Sequence, residues 1–145
     1  MELTRILLVE DNRNDVELTL MALEECNLAN KVDVTRDGEE ALDYLNYRGK
    51  FSERALGNPA VIMLDLKLPK VNGFEVLKQM KENPKLKLIP VVILTSSKED
   101  RDIIDGYNLG ANAYVVKPVD FVNFVRAIKE LGLFWAVTNV PPLFH

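Results

Sequence analysis

Cysteine is almost missing from this chain: Cys26 is the only one in 145 residues. One thiol cannot close an internal disulfide or supply a cysteine metal site, and it reads as a small half-buried hydrophobe. Histidine is as scarce. The single one, His145, is the last residue, which leaves the folded body no phosphohistidine donor and no histidine-based catalytic pair. No apolar run is long enough to span a bilayer, and Met1 to Arg5 do not open a signal segment. We therefore expect a cytoplasmic protein with no membrane contact. Positive charge is not in excess. Lys and Arg number 18 against 22 Asp and Glu, a net of −4, which argues against a nucleic-acid face. A glycine-rich loop is missing after the first apolar run, where Glu10-Asp11-Asn12-Arg13-Asn14 stand instead. A pyrophosphate could not approach the backbone there, so nucleotide- and flavin-binding α/β folds lose support. No G-x-S-x-G elbow occurs, and a hydrolase has no support either.

What is present fits one soluble globular domain. At this length roughly two-thirds of the unfolded surface can be buried, enough for a core without disulfides. Apolar residues gather in five short runs: Ile6 to Val9, Val32 to Thr35, Ala60 to Leu64, Val91 to Leu94 and Ala113 to Val116. Four are continuous, as strands covered on both faces require, and the second alternates like an edge strand. Between them lie stretches of helical spacing: Val16, Leu20, Leu23; Ala41, Leu42, Leu45; Phe74, Leu77, Met80; Ile103, Ile104, Tyr107. The last, Phe121, Phe124, Val125, Ile128 and Leu131, is a plain core stripe. Start signals agree, with Asp37 before Glu40, Asn72 before Glu75 and Ser96 before Glu99, and Asp120 as a cap for the last helix. Gly110 and Gly132 stand where helices should stop. Strand and helix alternate five times, which predicts a parallel sheet with five helices on both faces. Arg48 to Pro59 is left as a long polar connection, and 133–145 as a tail.

Polar residues follow four of the five runs: Glu10-Asp11, Asp65, Thr95 and Lys117-Pro118. In a parallel sheet these converge on one edge, where sites of such folds form. Carboxylates about 5 Å apart repel by roughly 3 kcal/mol per pair at an effective dielectric near 20. A lysine offsets part of this and a hard divalent cation more. Oxygen ligands with room for water suit Mg²⁺, or Mn²⁺ in its place. Each residue also has a plainer reading. Asp11 or Asn12 fits a helix cap, Thr95 the end of a strand, Lys117 a solvated turn and Tyr114 an ordinary aromatic.

Taken together, Val9-Glu10-Asp11-Asn12, Met63-Leu64-Asp65-Leu66-Lys67-Leu68-Pro69 with Gly73, Val92-Ile93-Leu94-Thr95-Ser96 and Tyr114-Val115-Val116-Lys117-Pro118 resemble the receiver domain of two-component response regulators. The resemblance spans about residues 4 to 132 and implies a flavodoxin-like sheet of order 2-1-3-4-5. It implies that Asp65 accepts a phosphoryl group from a phosphohistidine of a histidine kinase. Glu10, Asp11, Asp65 and the backbone carbonyl of Lys67 would hold Mg²⁺. Lys117 would pair with Asp65 and then with phosphoryl oxygens. Thr95 would bind the phosphoryl group, Tyr114 would move inward with it, and the Lys117-Pro118 bond would be cis. Such a protein hydrolyses its own aspartyl phosphate without being a turnover enzyme. The pair Glu10-Asp11 departs from the two aspartates of many receivers, which leaves direct or water-mediated metal contact open.

A narrower resemblance, to regulators that partner phytochrome-type histidine kinases, rests on four stretches. They are Tyr47 to Lys50, Asp65 to Lys70, Ile89 to Ser97 and the tail with Phe134-Trp135. Only a short tail, 133–145, follows Gly132, too little for a DNA-binding or catalytic output domain, so we expect a receiver over 1–132, no output domain, and output through a downstream protein or phosphotransfer domain. The narrower resemblance also implies a homodimer through the last strand, last helix and tail. Packing of Leu133-Phe134-Trp135 on the domain's own last helix accounts for that apolar cluster equally well. A different function class, an interaction module that keeps the fold but is not phosphorylated, is weakened by Asp65, Thr95, Lys117 and the acidic pair occurring together.

Overall fold

The computed structural model describes residues 5–25, 32–95, 105, 108–111, 113–116, 122, 126 and 130. Strand β1 (Ile6–Val9) is buried at every position. Both of its faces therefore need cover, because neighbouring side chains point to opposite sides. The same holds for β3 (Val61–Asp65). By contrast β2 (Val32–Thr35) is only half-buried before Thr35. With β4 (Val91–Thr95) and β5 (Ala113–Val116) these strands form one sheet of order β2-β1-β3-β4-β5. Every neighbouring pair is parallel. The expected order and the edge position of β2 are both realised.

The two faces build two cores. Leu7, Val9, Ile62, Leu64, Val91 and Ile93 pack with Ala41, Leu42 and Leu45 of α2 (Gly38–Leu45) and Val76, Leu77 and Met80 of α3 (Gly73–Glu82). Ile6, Leu8, Val61, Met63, Val92 and Leu94 pack with Val16, Ala22 and Leu23 of α1 (Arg13–Glu24). Each of the Val, Leu, Ile and Met side chains among them, fully buried, contributes about 1.5–3 kcal/mol. The helices start where side chains supply acceptors. Asn12 Oδ1 accepts the Asp15 N–H at 3.0 Å, Asp37 Oδ1 that of Glu40 at 2.7 Å, and Asn72 Oδ1 that of Glu75 at 3.1 Å.

Asp105 and Asn108 are helical, as are Val122, Arg126 and Glu130, and they fall in the two remaining expected helices. The last three are exposed at a spacing of four, as on the solvent face of a helix. Ser96 with Glu99, Asp120, Gly132, the Lys117-Pro118 bond and the tail lie outside the described residues. Gly110 closes a turn before β5 with φ +104°. Among the described residues no helix is long and apolar enough to cross a membrane.

The connection expected to be irregular, Arg48 to Pro59, carries its own order. Gly49–Phe51 is a 3-10 turn. The Arg54 guanidinium lies between the Tyr44 and Tyr47 rings, 4.1 and 4.0 Å from their centroids. It also donates to the carbonyls of Tyr44, Ala55 and Gly57 at 2.6–3.1 Å.

Candidate functional site

Strand register decides which side chains meet at the carboxyl edge. Val9 pairs with Leu64, so Glu10 and Asp65 are the next residues along adjacent strands. Asp65 pairs with Leu94 and Thr95 with Val116. Asp65 and Thr95 are thus the last residues of their strands rather than the first beyond them. Backbone pairing is indifferent to the change from apolar to polar side chain, which is where hydropathy alone ends the run.

Glu10 is fully buried. Its N–H donates to the Thr35 carbonyl at 3.0 Å, and its Oε2 accepts the Asn12 N–H at 3.1 Å. Asn12, not Asp11, caps α1. Asp11 is exposed and turned to the edge, where one carboxylate oxygen each from Glu10, Asp11 and Asp65 lie within 4.8 Å of one another. Asp65 is 6 % exposed, and its Oδ1 accepts the Lys67 N–H at 3.2 Å, which keeps the Lys67 peptide beside the carboxylate. Behind it, the Gly73 N–H donates to the Leu66 carbonyl at 2.9 Å. A Cβ on Gly73 would stand 2.2 Å from the Asp65 carbonyl oxygen, so only glycine lets α3 start this close. Asp65 is fixed from the front by its turn and from behind by α3.

The structure therefore brings together Glu10, Asp11, Asp65 and the Lys67 backbone. It places Thr95 and Tyr114 by strand register; their side chains, and Lys117, lie outside the described residues. Among the described residues the donor set is three carboxylates, with no nitrogen or sulfur ligand. That set fits a hard divalent cation, Mg²⁺ or Mn²⁺. Sequence reasoning left open whether Asp11 or Asn12 is the cap, and it missed the close approach of α2 to this loop. The signal for the latter was visible: Asp37-Gly38 and Asn72-Gly73 are both a cap followed at once by glycine.

A second polar group sits on the β2 edge, lining a cleft of about 820 Å³. The Arg5 guanidinium and the Tyr44 hydroxyl both donate to the Asp33 carboxylate, at 2.5 Å each. Burial pushes the Asp33 carboxyl up, yet the hydrogen bonds from Arg5 and Tyr44 outweigh it and hold it below its ordinary range. Burial and the Asp33 carboxylate push the Tyr44 hydroxyl up to about 12. These groups satisfy one another, and we assign them to the scaffold.

The geometry agrees with known proteins. Residues 6–129 match the family described as "Response regulator receiver domain". Response regulator Rcp1 of Synechocystis sp. is 36% identical over 137 residues, 94% of this chain and 92% of that protein. Among solved structures, the bacteriophytochrome response regulator RtBRR is 62% identical, with a TM-score of 0.81 over 97% of this chain and 85% of that one. The phosphorylated cyanobacterial phytochrome response regulator RcpA is 38% identical, with a TM-score of 0.87 over 97% and 99%. The Mn²⁺-bound form of response regulator Rcp1 has a TM-score of 0.84 and 36% identity over 94% and 96%.

Proposed function

This chain belongs to the response regulator receiver domain family, and from that premise we propose that it takes a phosphoryl group on Asp65 from a phytochrome-type histidine kinase. A receiver of this family is a signalling regulator whose partner is a histidine kinase. The observation that carries the residue assignment is the cluster at the sheet edge: buried Asp65, at the end of β3, with Glu10 and Asp11 within 4.8 Å. The phytochrome-type partner is supported by the likeness to Rcp1, RcpA and RtBRR. A phosphorylated RcpA and a Mn²⁺-bound Rcp1 support the two chemistries read from the cluster.

Phosphoryl transfer needs positioning and charge neutralisation more than covalent help. An Asp65 oxygen attacks phosphorus in line with the departing imidazole; the new P–O bond forms as the P–N bond breaks, and the imidazole leaves with a proton. The Lys67 N–H, already bonded to Oδ1, orients the carboxylate so that Oδ2 is the attacking oxygen. Glu10, Asp11, Asp65 and the Lys67 carbonyl would hold Mg²⁺, which when bound neutralises charge on the carboxylates and phosphoryl oxygens. Thr95, the last residue of β4, and Lys117, which follows β5, receive the phosphoryl oxygens, with Tyr114 moving after Thr95. A full switch of population between two states needs about 5.5 kcal/mol of differential stabilisation.

Residues 1–132 form the receiver unit on this reading and 133–145 a tail. The protein acts in the cytoplasm and passes its signal to a downstream protein or phosphotransfer domain. The apolar run Leu133-Phe134-Trp135 would suit a homodimer through the last strand, last helix and tail. Light scattering of the chain with and without residues after Gly132 tests that part; a monomer in both, phosphorylated or not, would remove it.

Intact-mass spectrometry tests the central claim. The protein is incubated with a small acyl phosphate and Mg²⁺, beside Asp65→Asn and a chelator control. Gain of one phosphoryl group only in metal-replete wild type is expected. If wild type gains none, even from a purified phytochrome-type histidine kinase, the chain is an interaction module with the receiver fold and the assignment of Asp65 fails.

A further inference from the structure

The connection after Asp65, residues 66–72, rests on α2. Gly38, the first residue of α2, is pressed against Val71 so closely that a Cβ would fall 1.7 Å from the Val71 carbonyl oxygen and 2.6 Å from its carbonyl carbon. Those are backbone atoms, so no side-chain rotation relieves the clash. Leu66 and Leu68 are buried in the same core as Ala41 and Leu42 of α2, and Val71 packs against it. Lys70, held at φ +62°, brings its Nζ to 3.7 Å from Oδ2 of the α2 cap Asp37. Such an exposed pair adds little energy. The backbone contact and the two leucines carry the interaction.

We propose that the N-terminus of α2 is the seat of the metal loop, with Gly38 and Leu68 as positioning residues that set where the Lys67 peptide stands against Glu10, Asp11 and Asp65. This rests on the reading of Lys67 as a carbonyl ligand. Between Leu66 and Val71 the chain is short, and both ends of it are seated on the α2 core. A displacement of the Lys67 peptide as a whole therefore strains one of those seats. Cation occupancy and docking of α2 are therefore linked, and linkage runs both ways. A cation that fixes the loop also fixes α2, and a change in α2 changes cation affinity.

The test measures Mn²⁺ affinity of the full chain by the free-ion paramagnetic resonance signal, together with urea unfolding. Gly38→Ala and Leu68→Ala should each weaken Mn²⁺ binding by at least about fivefold. Leu86→Ala removes a leucine from the same core outside this connection, and Glu39→Ala an exposed side chain one residue from Gly38. Both should stay within about twofold of wild type, although Leu86→Ala loses stability like Leu68→Ala. If Leu86→Ala weakens the ion as much as Leu68→Ala, the effect is global and the inference is overturned. Should Gly38→Ala not fold, Leu68→Ala and wild type still decide. Amide exchange over 38–45 in wild type should slow when Mn²⁺ is added, and no change there would overturn the linkage. Wild-type binding that Asp11→Asn abolishes but Leu68→Ala leaves intact would sink this inference alone. No binding by wild type would sink the reading of the site with it.

Discussion

Replacing Asp11 by asparagine removes one charge from the acidic cluster while keeping the side chain's shape. Asp11 has two carboxylate neighbours, Glu10 and Asp65, with oxygens within 4.8 Å. At that distance each pair repels by about 3.5 kcal/mol at an effective dielectric of 20 and by about 0.9 kcal/mol at that of water. Asp11 is exposed, so the lower end applies, and with salt screening the relief from the two pairs in the metal-free protein should be about 1–2 kcal/mol. Stability is thus expected to rise, by roughly 3–7 °C in Tm for a chain of this size. With Mg²⁺ at a hundred times its Kd, wild type gains about 2.7 kcal/mol and the variant, short of a ligand, much less. The two proteins should exchange rank or converge: the variant more stable in chelator, wild type recovering in Mg²⁺. Thermal unfolding followed by circular dichroism, with and without the ion, reads both effects. A variant less stable than wild type in chelator, with an undiminished gain from Mg²⁺, would refute the cluster as a cation site.

Two further outcomes follow from the scaffold. The Tyr44 hydroxyl, ordinarily near 10, stands at about 12 in the folded chain. A raised folded value stabilises below the unfolded one and is lost above it, so unfolding free energy should fall by up to about 2–3 kcal/mol between pH 10 and 12. Urea titrations of wild type and Tyr44→Phe should converge across that window; an equal alkaline loss in both would break the argument. Asp33, held below its ordinary range by Arg5 and Tyr44 despite burial, stabilises above about pH 4 and loses that contribution as pH falls further, so Asp33→Asn should show the shallower acid limb. Gly73→Ala would put a methyl carbon 2.2 Å from the Asp65 carbonyl oxygen. Its cost should exceed about 2 kcal/mol in urea unfolding, against a few tenths of that size for Glu39→Ala, and a neutral Gly73→Ala would contradict the close packing of α3 on β3.

Much of this was legible from sequence because hydropathy and cap residues are local signals. The strands Ile6–Val9, Val32–Thr35 and Ala113–Val116 have the expected bounds. The third and fourth run on to Asp65 and Thr95, because those residues pair through their backbones while their side chains carry the polarity. The acidic cluster was legible for a different reason. Parallel strands bring their carboxyl ends to one edge, so residues far apart in sequence meet there without any local signal between them. The division of labour between Asp11 and Asn12 was not legible, since both residue types cap helices well. Nor was the group of Arg5, Asp33, Tyr44 and Arg54, whose hydrogen bonds join residues 28, 11 and 10 positions apart. Charged side chains in a polar connection look solvated until the aromatic rings that stack on them are placed.

That group bears on the metal loop through the length of α2. At eight residues, α2 is shorter than a helix that holds itself in water. Its position must come from what it touches. At its start are the Asp37 cap and the contact of Gly38 with Val71. Along its inner face are Ala41, Leu42 and Leu45 in the core. Near its end Tyr44 is tied to β2 through Asp33, stacked on by Arg54, and in edge contact with Phe51 at 5.2 Å. The ordered connection after α2 thus holds the far end of the helix whose near end seats the loop. With Gly73 of α3 closing the back of Asp65 and α2 held at both ends, the loop is confined on two sides.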